Sequence, residues 1–187
     1  MRGIDVSENN GFVDWQTVKD AGMEFAMVRT GFGRGDKDSR FDDNVAGAHS
    51  VGLKVGAYHY SYALNADRAA EEAAFCKKII DESGVGLELP VFFDMEDADG
   101  YKRRNGFNFD PELITEMCRT FISNLGLDCG VYASLSWLAN YIDWRSLNCA
   151  VWNADWGSSD SIKGYMWQYT NSLYIAGKQF DGNILYD

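Results

Sequence analysis

The chain has 187 residues, 46% of them apolar and only two proline, which is enough for one full core and too apolar for a disordered segment. Its 28 acidic and 17 basic residues leave a net charge of −11, which excludes the basic footprint that nucleic acid binding requires. No apolar run approaches the roughly 20 residues that cross a bilayer, so membrane insertion is not expected.

The N-terminal Met1-Arg2-Gly3-Ile4-Asp5 lacks the charged and apolar regions of a signal peptide, which predicts synthesis in the cytoplasm without a leader. Gly3–Ser7 reads as a first strand. Asp14 caps a helix through Trp15, Val18 and Ala21, and Gly22 stops it. Phe25–Thr30 is a second strand, Phe41–Val51 a helix ended by Gly52, and Lys54–Ser61 a third strand. The long helix Ala66–Ser83 closes at Gly84. Leu89–Glu96 is a fourth strand, apolar in its body and acidic at its end.

Gly100–Phe109 reads as a Gly/Asn-rich loop, with Lys102-Arg103-Arg104 as a solvated basic run inside it. Asp110-Pro111 then signals the start of a helix over Glu112–Leu125, stopped by Gly126. Gly130–Ala133 is a fifth strand and Leu135–Ile142 a short helix. Ala150–Asp155, Tyr165–Thr170 and Phe180–Leu185 complete a count of about eight strands and five helices. Alternation over the first two-thirds predicts right-handed βαβ units. The fold class is therefore α/β: an irregular, single-domain, TIM-barrel-like β/α barrel over residues 1–187, shorter than the roughly 250 residues of a complete (β/α)₈ barrel.

Cys76, Cys118, Cys129 and Cys149 form no CxxC pair and read as free thiols. With two histidines and no ligand spacing, neither a metal nor another cofactor is expected. His59, on a strand, reads as core or groove lining.

Alternation along a strand points Asp94 and Glu96 the same way, with Cα atoms roughly 6–7 Å apart. In a barrel, strand ends converge on one mouth, and paired carboxyls there suit glycosidic bond cleavage. Asp5 and Asp181, on the first and last strands, should sit side by side across the closing seam. Tyr58, Tyr132, Trp152 and Trp167 lie on or near strand ends as candidates for a sugar-binding wall, and Arg29 and Gln168 as candidate hydrogen-bonding groups.

Several segments carry a family resemblance. They are Gly-Ile-Asp-Val-Ser (3–7), Val-Asp-Trp (13–15), Phe-Ala-Met-Val-Arg-Thr (25–30), Asn44, Gly-Leu-Lys-Val-Gly-Ala-Tyr-His-Tyr (52–60) and Phe-Phe-Asp-Met-Glu (92–96). Gly-Val-Tyr (130–132), Trp-Asn-Ala-Asp-Trp (152–156), Trp-Gln-Tyr (167–169) and Asp-Gly-Asn (181–183) continue the series. Their order and spacing resemble glycoside hydrolase family 25, the Chalaropsis-type lysozymes, over essentially the whole chain. The resemblance implies a muramidase, a phage endolysin or autolysin catalytic domain that cleaves the β-1,4 bond between N-acetylmuramic acid and N-acetylglucosamine in peptidoglycan. It makes Glu96 the general acid, Asp94 its partner, and Asp5 and Asp181 the rest of an acidic floor. It also implies bacterial glycan strands as partner, action at the cell wall after release, and room for a separate wall-binding module. A silent wall-binding barrel and a chitinase-like glycosidase are the competing readings. The nucleophile is either Asp94 or the substrate's own 2-acetamido oxygen, and substrate assistance is the reading preferred here.

Overall fold

The computed structural model describes residues 1–186. Its strands are β1 (Arg2–Val6), β2 (Phe25–Phe32), β3 (Asp36–Lys37), β4 (Lys54–Tyr60), β5 (Val91–Asp94), β6 (Cys129–Ser134), β7 (Ala150–Ala154), β8 (Met166–Ile175) and β9 (Lys178–Leu185). Its helices are α1 (Trp15–Asp20), α2 (Phe41–Ser50), α3 (Ala66–Ser83), α4 (Tyr101–Arg104), α5 (Pro111–Leu125), α6 (Leu135–Asn140) and α7 (Trp144–Leu147). Eight strands close a barrel in the order β1-β9-β8-β7-β6-β5-β4-β2, and β1 pairs with β2 to complete it. β3 is a two-residue hairpin partner of β2 outside the ring. All pairings from β1 to β8 around the ring are parallel, whereas β9 runs antiparallel to both of its neighbours.

The helices form where the sequence supplies start and stop chemistry. The Asn65 side chain accepts from the Arg68 amide at 2.9 Å, and α3 ends at Gly84 with φ +65°. Asp110 caps α5 by accepting from the Glu112 amide at 3.0 Å, with Pro111 in the first turn. Ile114, Met117, Cys118, Phe121 and Leu125 then make the buried stripe of α5. That stripe joins the larger core, between the outer face of the barrel and its helices.

A second core fills the barrel itself with Phe25, Met27, Leu89, Phe92, Trp152, Met166 and Leu185. Two register pairs show how the rings fit. Gly3 lies opposite Phe25 and Gly130 opposite Phe92. A Cβ at Gly3 would meet the Phe25 ring at 2.6 Å, and one at Gly130 the Phe92 ring at 2.7 Å. Each glycine vacates space that its neighbour's ring occupies, and the lower half of the barrel is thereby plugged. Only the end beyond the C-termini of the parallel strands stays open.

Some expectations needed correction. The described residues hold seven α-helices rather than five, because α4 and α7 are single turns without a side-chain cap bond. α4 falls inside the segment read as loop, and its Lys102 is 1% exposed rather than solvated. β5 ends at Asp94, two residues early, although Met95 still donates its amide to the Tyr132 carbonyl at 3.0 Å. β8 runs on to Ile175 and turns through Ala176 and Gly177, both at positive φ as a two-residue hairpin of the I′ kind demands. All four cysteines are free thiols. His59 belongs to the core: its Nε2 donates to the Gly33 carbonyl at 2.6 Å, and its ring stacks on Phe121.

Candidate active site

The open end gathers four carboxyl groups as two pairs. Asp94 ends β5, and the Glu96 carboxyl, two residues on, lies in hydrogen-bonding contact with it. Asp5 of β1 and Asp181 of β9 are register partners, and their side chains also meet. Because β9 is antiparallel, Asp181 reaches the mouth from the first half of its strand rather than from its end.

Burial dominates the electrostatics. Asp94 is 4% exposed, and loss of water together with the neighbouring Glu96 charge pushes its carboxyl well above the usual range. Burial also raises Glu96, and so the pair retains a shared proton where isolated acids have lost theirs. Asp5, 7% exposed, is pushed up to about 7 by burial first and by Asp181 second. Burial likewise raises Asp181.

Amide side chains hold Asp5 against this pressure. Gln168 Nε2 donates to Asp5 Oδ2 at 3.0 Å and Asn183 Nδ2 to the same oxygen at 2.8 Å. The acceptor ends of both amides are used in turn. Trp152 Nε1 donates to Asn183 Oδ1 at 2.9 Å, and Tyr132 Oη to Gln168 Oε1 at 3.1 Å. By contrast, Asp94 Oδ1 is buried and receives no donor from the described residues.

The hollow bounded by these groups measures about 280 Å³ and is lined by all four acids, Tyr58, Tyr132, Trp152, Arg29 and Gln168. It continues past Asn9, Arg29 and Tyr60 into a neighbouring hollow of about 340 Å³ edged by Phe32, Tyr62 and Asp99. Arg29 stands at the junction with its guanidinium already engaged. Nε donates to buried Asp38 at 2.8 Å and Nη2 to Glu8 at 3.2 Å, which ties down the rim segment after β1.

Trp167 is the one sequence candidate that stays out of this hollow. It neighbours Gln168 in β8, so the two side chains take opposite faces, and Trp167 Nε1 is bound to the Asp155 carbonyl at 2.7 Å. Trp156 takes its place at the lip: it is 60% exposed and donates its Nε1 to Gln168 Oε1 at 3.0 Å. Asn183, Tyr60 and Trp156 were all missed by the reading of the sequence. Asn183 was legible, being two residues from Asp181 on the same strand face, whereas Trp156 lies beyond β7 where alternation gives no direction.

A barrel plugged at one end and opening at the other onto an acid-floored, aromatic-walled hollow has the build of a carbohydrate cleft. The family model described as glycosyl hydrolases family 25 matches residues 4–178, and the chain belongs to that family. Lysozyme M1 of Streptomyces globisporus is 28% identical over 97% of this chain and 65% of its own length. The autolytic lysozyme of Clostridium acetobutylicum is 30% identical over 95% of this chain and 52% of its own. The chain thus spans roughly half to two thirds of the length of these curated relatives.

Among solved structures, the modular autolysin LytC of Streptococcus pneumoniae, in complex with a synthetic peptidoglycan ligand, superposes with a TM-score of 0.88 at 24% identity. That match covers 99% of this chain and 46% of LytC. The bacterial lysozyme of Streptomyces coelicolor gives a TM-score of 0.82 at 24% identity, over 100% of this chain and 92% of that one. At such identities the likeness speaks to the fold alone.

Proposed function

We propose that the chain is a peptidoglycan hydrolase of the lysozyme type, a 1,4-β-N-acetylmuramidase that cleaves the bond from N-acetylmuramic acid to N-acetylglucosamine. The observation that carries this reading is the Asp94/Glu96 pair: a buried and a half-buried carboxyl in contact, both pushed above the usual range by burial, beside a second acid pair at the mouth of the barrel. Family membership and the lysozyme names of both curated relatives support it.

Glu96 is the general acid and Asp94 assists it. The Asp94 carboxyl, which lines the hollow, is an acceptor suited to the N–H of the substrate's 2-acetamido group. That hydrogen bond favours ionised Asp94 and leaves the shared proton on Glu96. The acetamido oxygen attacks the anomeric carbon, the glycosidic C–O bond breaks, and the leaving oxygen takes the proton from Glu96. Glu96, now a carboxylate, deprotonates a water that opens the cyclic intermediate from the vacated face, so the anomeric configuration is retained. Asp181 adds negative potential beneath the developing oxocarbenium charge, supported by its contact with Asp5, which keeps its proton up to about pH 7. Tyr58, Tyr132 and Trp152 form the sugar wall, with Gln168 linking it to the acids.

Glycan strands of the bacterial wall are the partner, reached after release from the cytoplasm. The greater length of the relatives leaves room for a wall-binding module on a separate unit. Mass spectrometry of reduced digests of peptidoglycan tests the activity. Reduced muramic acid ends support it; reduced glucosamine ends, or no cleavage, refute it. Trapping a covalent sugar on Asp94 with a fluorinated substrate would refute substrate assistance while leaving the muramidase reading intact.

A further inference from the structure

Lys102 contradicts its sequence context. It lies in a basic run on the one-turn helix α4, yet it is among the most deeply buried side chains of the protein. Its ammonium donates to two backbone carbonyls, that of Ser61 just past β4 and that of Glu96 just past β5, the latter at 2.8 Å. Adjacent strand ends are thus bridged behind the carboxyl pair. Glu72 of α3 also holds the Ser61–Tyr62 turn, accepting from the Tyr62 amide at 2.8 Å. Asp97 anchors the start of α4 by accepting from the Lys102 amide at 2.7 Å.

We propose that Lys102 is a positioning residue for Glu96: by pinning the Glu96 carbonyl to the end of the neighbouring strand, its ammonium fixes the aim of the Glu96 carboxyl and biases the charge of the Asp94/Glu96 pair. The inference rests on the assignment of Glu96 as proton donor.

A buried lysine is expensive to keep charged, and an aliphatic side chain would fill the same space with less loss. Two carbonyl acceptors lower that cost, and the acids around it hold the charge in place. Glu72 faces the ammonium from α3, Asp94 and Glu96 from the end of β5, Asp97 from the segment before α4, and the Tyr60 ring lies 6.0 Å from it on β4. Against them, burial lowers the ammonium's pKa. Glu96 belongs to no regular element and has no other side chain bonded to its backbone carbonyl among the described residues. Without the clamp, its carboxyl would follow the motion of a free loop.

The test compares wild type, K102M and E96Q on soluble peptidoglycan fragments across pH, with kcat and KM resolved separately. K102M should lose on the order of 10²-fold in kcat, since a small misplacement of a catalytic group has about that effect, while KM stays within about twofold. Loss of a nearby cation raises both carboxyls, so both limbs of the K102M pH profile should move up by about one unit. A merely structural lysine would lower the melting temperature and leave the limbs in place, and unmoved limbs with wild-type kcat overturn the proposal.

If K102M does not fold, the wild-type ammonium decides by nitrogen-15 NMR. Slowly exchanging Nζ protons coupled across to the two carbonyl carbons support the clamp, and a freely rotating, fast-exchanging ammonium overturns it. Failure of wild type to cleave would instead remove the functional assignment on which the inference rests.

Discussion

Asp5 offers a direct test of the electrostatics, because its carboxyl is held at about 7 in the folded protein and near 3.8 when exposed. Between those values the folded state binds a proton that the unfolded state has released. Stability therefore falls as pH rises through that window, and the loss is complete above pH 7. A difference of about 3 units at ~1.4 kcal/mol each makes the full penalty about 4 kcal/mol. In D5N the amide oxygen still accepts from Gln168 and Asn183, and the new NH₂ donates to Asp181, replacing carboxyl–carboxyl contact with a hydrogen bond. The variant should thus be more stable than wild type at pH 8, by a margin about 3 kcal/mol wider than at pH 5. In a chain of this size that extra margin is about 6–12 °C in melting temperature. Urea titrations of both proteins at the two pH values measure it. A stability difference that is flat in pH, or that narrows from pH 5 to 8, would refute the assignment of a raised Asp5.

Replacing Glu96 by Gln should lower kcat by about 10²–10⁴-fold without unfolding the chain, as judged by turbidity clearing and circular dichroism. W156A should weaken glycan binding about tenfold with little change in melting temperature, because the ring is exposed and held by one hydrogen bond; calorimetric titration with wall fragments reads this. F92A empties the centre of the barrel plug, where the Phe92 ring lies 5.5 Å from that of Trp152 and 6.0 Å from that of Tyr165. Its expected destabilisation is about 3–5 kcal/mol by denaturant unfolding.

The sequence exposed most of the barrel because each parallel strand carries its own apolar run and turn signal. Closure followed from the strand count, and with it the adjacency of Asp5 and Asp181 that the register now displays. The mistakes share a physical origin. Trp167 and Gln168 were both placed in the cleft although consecutive strand residues face opposite ways, so alternation applied strictly would have rejected one of them. Lys102 was read from its charge and its Arg neighbours, and nothing local reveals that two carbonyls wait beneath it. Trp156 and α7 depend on loops whose direction is set by tertiary contacts such as the bond from Trp156 to Gln168. Arg29 was placed correctly at the cleft, but its engagement with Glu8 and Asp38 required the fold to be seen.

The antiparallel β9 ties the two ends of the chain together. Gln168 and Asn183 reach Asp5 across 163 and 178 residues of sequence, and the Met1 and Leu185 backbones exchange hydrogen bonds. A ribosome making this domain therefore exposes an incomplete acid floor until the final hairpin emerges. A chain cut short before β9 lacks half of the carboxylate quartet, because the Asp5/Asp181 pair is assembled only when that strand pairs with β1.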